Sequence, residues 1–240
     1  MSISDSTVST RISENLARVR QNIAAAALRA GRRPEEIRLV GVTKYVDTEI
    51  ARVLVEAGVV ELGESRPQEL WRKAEALTEL NVQWHLIGHL QRNKVKRTAE
   101  VVTLIHSVDS WRLLQEINQC AANGPLPVRN VLLEINVSGD AAKHGLQAGD
   151  IESLFPEIAK LGHVAVMGLM TMSGLESTPD QKRQEFAALR DLRDKLSRSQ
   201  PPNVVLQELS MGMSDDFEIA IEEGATIVRV GSALFEGIHS

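Results

Sequence analysis

The sequence feature that most constrains the fold is a repeated alternation of short apolar runs with longer helical stretches. Helical periodicity appears at residues 47–57, 67–79, 91–99, 110–122, 149–160, 180–198 and 214–223. The runs between these stretches are rich in β-branched residues: "IRLVGV", "VVELG", "WHLIG", "LIHSV", "NVLLEINV", "VAVMGLM", "NVVLQEL" and "TIVRVG". Strands that alternate with helices of this length predict βαβ units and a parallel sheet.

Eight such units in 240 residues favour a single closed (β/α)8 TIM barrel. The alternative is an open doubly wound sheet, but "GVTKYVD" follows the first strand where a dinucleotide-binding fold would carry GxGxxG. An extra amphipathic helix is predicted over residues 10–31, ended by Gly31 and Pro34. Residues 1–9 are expected to be disordered. Since no linker rich in proline, glycine or serine divides the chain, we expect one domain spanning residues 1–240.

Composition and charge bear on the compartment and on the classes of partner. A net charge of −5 and an aromatic content of 3% argue against nucleic-acid binding, and "QRNKVKR" is interpreted as a solvated helix face. One cysteine, Cys120, excludes an internal disulfide and favours the reducing cytoplasm. The N-terminus lacks an apolar run long enough for a signal peptide or a membrane span. We therefore expect a cytoplasmic protein without membrane contact. No long exposed apolar stripe demands a partner, so we also expect a monomer.

Small and hydroxyl residues gather where the predicted strands end, which is where barrels of this class place their chemistry. The loops after the seventh and eighth strands are the recurrent phosphate site of such barrels. "SMGMSDD" offers Ser210, Gly212 and Ser214, with Ser214 as a helix N-cap. "RVGSALF" offers Gly231 and Ser232. Both segments also suit ordinary βα loops, so each alone is a weak signal.

Lys44 ends the first predicted strand in "LVGVTKYV". Desolvation favours the neutral form of an amine, and a neutral amine is a nucleophile toward aldehydes. A nearby phosphate cradle indicates an aldehyde that carries a phosphate, namely pyridoxal 5′-phosphate. The alternative is a lysine that reaches solvent or pairs with Asp47 or Glu64.

Arg229 is predicted to point into the barrel, because strand alternation places it on the same face as Gly231. Placed against a pyridine nitrogen, its permanent charge would keep that nitrogen unprotonated. The alternative is an ion pair with Glu134 or Glu208. The histidines His85, His89 and His106 lack a metal-ligand spacing, so we expect no metal site.

Seven segments together resemble the pyridoxal phosphate homeostasis protein family (YggS/PROSC type) from about residue 12 to 237. They are "LVGVTKYV", "ELGESRPQEL", "WHLIGHLQRNK", "IHSVDS", "LLEINVSGDAAKHGL", "MGLMTM" and "LSMGMSDDFEIAIEEGATIVRVGSALFEG". The resemblance implies a barrel like the N-terminal domain of alanine racemase, with pyridoxal 5′-phosphate in a Schiff base with Lys44. It implies that the phosphate is held by Ser210, Met211, Gly212, Ser214, Gly231 and Ser232.

One segment departs from the pattern of that family. The family usually has "GEN" followed by an aromatic residue, whereas this chain has "GESRPQE", so that Ser65 and Arg66 replace the asparagine and the aromatic. Ser65 and Asn136 are further candidate residues of the cofactor pocket.

Three functions remain in competition. The first is a non-catalytic carrier that stores and buffers pyridoxal 5′-phosphate and delivers it to apoenzymes. The second is a racemase-like enzyme of low activity, and the third is a phosphate-sugar aldolase. A racemase resembling alanine racemase needs a tyrosine base from a C-terminal domain, and this chain is expected to lack that domain because it ends soon after its eighth strand. Tyr45 is expected on the strand face opposite Lys44. We therefore predict no catalytic residues.

Overall fold

A closed barrel of parallel strands forms the centre of the computed structural model, which describes residues 5–124, 128–137, 144–174 and 176–238. Going round the barrel, the order is β4-β3-β2-β1-β9-β8-β7-β5, and pairing of β4 with β5 closes it. The two-residue β6 pairs with the end of β5. The predicted TIM barrel is thus confirmed over the open sheet. The strands are β1 (Arg38–Val42), β2 (Glu61–Glu64), β3 (Gln83–Leu86), β4 (Leu104–Val108), β5 (Arg129–Asn136), β6 (Leu146–Gln147), β7 (Val164–Met170), β8 (Val204–Ser210) and β9 (Ile227–Val230).

Eight α-helices surround the barrel within the described residues. Local capping explains where some of them begin: Asp47 accepts the N–H of Ile50 at 2.9 Å before α2, and Thr178 and Gln181 form a capping box before α7. None of the described helices could span a membrane. The helices are α1 (Asp5–Arg29), α2 (Thr48–Glu56), α3 (Pro67–Ala76), α4 (Val95–Ala99), α5 (Trp111–Ala122), α6 (Ile151–Ile158), α7 (Pro179–Leu196) and α8 (Phe217–Glu222).

Helix α1 starts earlier than the sequence predicts. It begins at Asp5, so the expected disorder is wrong for residues 5–9, while residues 1–4 lie outside the described part of the chain. Its apolar face is buried as predicted, with Ile12 and Leu16 at most 3% exposed. Asn15 on the same face donates a hydrogen bond to the carbonyl of Leu234 at 3.1 Å. The helix therefore ties the C-terminal segment to the barrel.

The apolar core has two parts. The larger lies between strands and helices, and the smaller lies inside the barrel around Val40, Leu104, Leu132, Met170 and Ile227. Strongly polar side chains are also buried, some of them inside the barrel, and they form part of the candidate site.

The contact between β7 and β8 depends on a glycine. The strand register shifts between Val166 and Gly168, and a Cβ at Gly168 would lie only 1.9 Å from the carbonyl oxygen of Glu208. Because any side chain would collide with the neighbouring backbone, only glycine allows this approach. The close pairing sets the position of Ser210 at the end of β8.

Candidate functional site

The two predicted phosphate loops meet at Ser214. Its hydroxyl oxygen accepts the backbone N–H of Gly231 at 3.2 Å and that of Ala233 at 3.4 Å. Two backbone N–H groups of the loop after β9 thus converge on a side chain of the loop after β8, and backbone N–H groups gathered in this way are typical of anion sites. Ser232 lies between them at the start of a short 3-10 helix. The loops after β8 and β9 therefore form one structural unit at the C-terminal end of the barrel.

Gly212 and Asp216 fix the shape of the loop after β8. Gly212 has φ +91°, and a Cβ there would lie 2.6 Å from the Cβ of Ala220, so the position requires glycine. Asp216 accepts hydrogen bonds from the backbone N–H of Met213 at 2.6 Å and from the Ser173 hydroxyl at 2.5 Å. Helix α8 begins directly after Asp216, so the prediction that Ser214 is its N-cap is wrong.

Two of the residues assigned to the phosphate have side chains directed elsewhere. Met211 is fully buried in the core between strands and helices, which leaves only its backbone near the loops. Ser210 is also fully buried, and its hydroxyl oxygen bonds to His106 and Arg229 inside the barrel. The structure thus joins Ser210 to the barrel interior and not to the loop around Ser214.

Lys44 lies in a turn and not in a strand. Strand β1 ends at Val42, and the N–H of Val46 donates to the carbonyl of Thr43 at 3.1 Å to close the turn. The Lys44 side chain is exposed, and its Nζ lies 4.7 Å from the centroid of the Tyr45 ring. The expectations of a desolvated Lys44 and of a Tyr45 on the opposite face are both wrong, because strand alternation does not apply within a turn.

The buried lysine of this region is Lys73 on α3. Its side chain is 1% exposed, and Nζ donates to Glu64 Oε1 at 2.5 Å and to the carbonyl oxygen of Thr43 at 2.7 Å. The Thr43 hydroxyl donates to the same Glu64 oxygen at 2.9 Å. Lys73 thus holds the backbone that immediately precedes Lys44. The sequence contains a signal for it, since Lys73 shares a helix face with Leu70 and Leu77, both buried.

A row of polar contacts crosses the barrel interior. Arg229 Nη1 donates to Ser210 Oγ at 2.6 Å, and Ser210 Oγ lies 2.8 Å from His106 Nδ1. His106 Nε2 lies 2.9 Å from His85 Nδ1, and His85 Nε2 lies 3.3 Å from Glu61 Oε2. A guanidinium can only donate and a carboxylate can only accept. Ser210 and the two histidines thus lie in a row between the guanidinium of Arg229 and the carboxylate of Glu61.

Burial and neighbouring charges shift the pKa values of two groups in this row. Burial lowers the pKa of His106 well below its usual value, and the neighbouring His85, Arg229 and Arg38 lower it further. Burial alone would raise the pKa of Glu61, but contacts with His85 and Arg38 lower it to about 2. His106 is therefore neutral and Glu61 is ionised near neutral pH.

Arg229 points into the barrel, as predicted, but not into an ion pair. It is 3% exposed, and Nη2 donates to the carbonyl oxygen of Thr171 at 3.0 Å. Burial lowers its pKa to about 10, partly offset by the charges of Asp216 and Glu134, so the guanidinium stays protonated. The alternative partner Glu208 accepts instead from Arg38.

The two remaining pocket candidates lie at other strand ends. Asn136 ends β5 and is 5% exposed, while Ser65 follows β2 and is half-buried. The backbone of Ser65 lies against Gly88, where a Cβ would come within 2.3 Å of the Ser65 carbonyl oxygen. Arg66 is exposed. The structure places these residues at the carboxyl ends of their strands, and their contact with a ligand stays a prediction.

Known proteins resemble this chain over nearly its whole length. The family model described as alanine racemase, N-terminal domain, matches residues 15–238. A protein of Aquifex aeolicus named pyridoxal phosphate homeostasis protein is 45% identical over 222 residues, which cover 92% of this chain and 96% of the relative.

Solved structures agree with the fold. PipY of Synechococcus elongatus PCC7942, solved with PLP bound, superposes with a TM-score of 0.82 at 33% identity, covering 93% of this chain and 99% of PipY. The alanine racemase of Corynebacterium glutamicum gives a TM-score of 0.68 at 14% identity, a similarity of fold alone. The match covers 96% of this chain and 64% of the racemase.

We expect Lys73→Met to destabilise the protein strongly, because it leaves the Glu64 carboxylate buried without its cation. Breaking one partner of a buried ion pair costs about 3–5 kcal/mol. Unfolding in urea, followed by circular dichroism, measures the free energy of unfolding. Arg72→Ala on the same helix is the control, since the Arg72–Glu69 pair is exposed and should contribute little.

The double variant Lys73→Met/Glu64→Leu separates the ion pair from simple packing. It should recover much of the lost stability, because no buried charge remains unpaired. A Lys73→Met variant as stable as Arg72→Ala would contradict this account of the turn before Lys44.

Proposed function

We propose that this chain, which belongs to the alanine racemase N-terminal domain family, binds pyridoxal 5′-phosphate and serves in the homeostasis of that cofactor. One observation carries the proposal. The backbone N–H groups of Gly231 and Ala233 converge on the hydroxyl oxygen of Ser214, in loops beside the strand that leads to Lys44. The relatives named pyridoxal phosphate homeostasis protein and the PLP-bound PipY support it.

The residues at this end of the barrel fit a phosphorylated aldehyde. The converging N–H groups suit a phosphate, and Gly212 keeps the loop in a shape that a side chain would prevent. We assign the phosphate to Gly212, Ser214, Gly231 and Ser232. Met211 can contribute through its backbone alone, and Ser210 supports Arg229.

Lys44 is the residue we assign to the covalent bond. The bound cofactor supplies an aldehyde that condenses with a primary amine. β1, which leads to Lys44, pairs with β9, whose end leads into Gly231 and Ser232, so amine and phosphate loop lie on neighbouring strands. Lys73 fixes the backbone at Thr43 while the Lys44 side chain stays exposed. A turn with a fixed backbone and an accessible amine suits a cofactor that is held and later released to an apoenzyme.

Arg229 is assigned to the ring nitrogen of the cofactor. Its hydrogen bonds to Ser210 and Thr171 hold the guanidinium in place, and its charge persists at neutral pH. A cation at that nitrogen keeps it unprotonated, which weakens the cofactor as an electron sink. Arg229 would therefore favour storage over chemistry at the amino-acid Cα.

We further propose that the chain acts as a monomeric, cytoplasmic carrier without catalytic turnover. Racemisation requires proton transfer at both faces of the Cα. Tyr45 lies beside Lys44 in the same exposed turn, with the amine 4.7 Å from its ring centroid, so the two side chains do not flank a cleft from opposite sides. This position of Tyr45 disfavours the racemase-like alternative. The argument from sequence against a racemase, that Tyr45 points to the strand face opposite Lys44, no longer applies.

Borohydride reduction should fix the cofactor on Lys44. The purified protein is expected to be yellow, to lose its visible absorption on reduction, and to yield a pyridoxyl group on the peptide that contains Lys44. The Lys44→Ala variant should be colourless. The control variant Lys160→Ala should remain yellow, because Lys160 is an exposed lysine that follows α6. A colourless wild-type protein would favour an aldolase, and modification of another lysine would refute the assignment.

Ser214→Ala and Ser232→Ala should each weaken retention of pyridoxal 5′-phosphate by about 1–3 kcal/mol, the order expected for a lost hydrogen bond to a charged group. Equilibrium dialysis with the phosphorylated cofactor and with pyridoxal measures the effect. Pyridoxal should bind weakly and respond little to either change. Ser153→Ala, at an exposed serine of α6, is the control.

Equal sensitivity of the two ligands to the serine variants would contradict the assignment. That result would show that Ser214 and Ser232 act on loop structure and not on the phosphate.

A further inference from the structure

Two histidines and an aspartate meet at the C-terminal end of the barrel, outside the residues assigned to the cofactor. His89 follows β3, Asp109 follows β4, and His144 lies between β5 and β6. One potential ligand atom from each residue lies within 4.8 Å of those of the other two. The sequence separation of these residues hides the cluster, because closure of the barrel brings the strand ends together.

The geometry of the cluster suits a divalent metal ion. His89 Nδ1 lies 2.9 Å from Asp109 Oδ2, a hydrogen-bond distance, and two tetrahedral ligands with bonds of about 2.1 Å lie about 3.4 Å apart, so a small separation of the two side chains would admit an ion. The His89 and His144 rings stack with centroids 5.2 Å apart and an interplanar angle of 29°. Two imidazoles and a carboxylate are the donors that ions such as Zn²⁺ prefer.

Two carboxyl groups, one in the cluster and one beside it, favour the binding of a cation. The Asp109 side chain is 9% exposed, and Glu134 nearby is 5% exposed. Burial raises the pKa of Glu134, and the charge of Asp109 raises it further, while Arg229, His144 and His89 oppose this. A metal ion at the cluster would relieve the crowding of the two carboxylates.

We propose that His89, Asp109 and His144 bind one divalent first-row transition-metal ion at the mouth of the barrel. The expectation of no metal site, drawn from histidine spacing, is revised accordingly. Both histidines are exposed, so they can exchange solvent for the ion without repacking of the core. The ligands are all protein side chains, and binding is independent of Lys44.

Isothermal titration of the chelator-treated, dialysed holoprotein with zinc chloride tests the proposal. We expect saturable binding of one zinc ion per chain. His144→Ala and Asp109→Asn should each weaken it at least tenfold, since changes in groups that only support ligands cost about 10–100-fold. His163→Ala is the control, because His163 precedes β7 at the opposite end of the barrel.

Repetition with Lys44→Ala, freed of cofactor, separates this site from the proposed function. Unchanged zinc affinity there supports the three-residue site whether or not the chain carries pyridoxal 5′-phosphate. The proposal is overturned if zinc binding is not saturable, if His144→Ala and His163→Ala behave alike, or if zinc binding vanishes in Lys44→Ala, which would place the ion on the cofactor.

Discussion

The buried ion pair of Lys73 and Glu64 is the interaction on which the candidate site depends. Removal of both charges from water costs several kcal/mol per ion, and the pair is stable only because Lys73 also bonds to the carbonyl of Thr43 and Glu64 to its hydroxyl. These contacts join α3 and β2 to the end of β1. Buried contacts to Thr43 therefore hold the start of the turn that carries Lys44, while the amine remains in solvent.

The hydrogen-bond chain inside the barrel imposes a second constraint. A buried guanidinium is tolerated only when its donors are used, and Arg229 bonds to Ser210 and Thr171. From Ser210 the chain continues through His106 and His85 to Glu61. One polar network thus joins β2 to the strands below the phosphate loops.

The sequence predicts the repeating features well and the side-chain partners poorly. Apolar periodicity located all eight barrel strands, because burial on both faces requires it. The loops around Ser214 followed from their place in the barrel. The partners of Lys73 and Ser210 depend on strand register and helix orientation, which no local pattern encodes. The sequence misplaces Lys44 and Tyr45 for a related reason, since β1 ends at Val42, two residues before the predicted strand end.

We propose that this chain holds pyridoxal 5′-phosphate without turning over amino acids. Deuterium exchange at the Cα of L-alanine and several other amino acids in D₂O, followed by chiral analysis, tests it most directly. With Arg229 at the ring nitrogen, as proposed, carbanion formation at the Cα is weakened, and Tyr45 is not held across a site from Lys44, so we predict no sustained exchange or racemisation by the cofactor-loaded protein. Sustained turnover that disappears in Lys44→Ala would contradict the account and make this protein an enzyme.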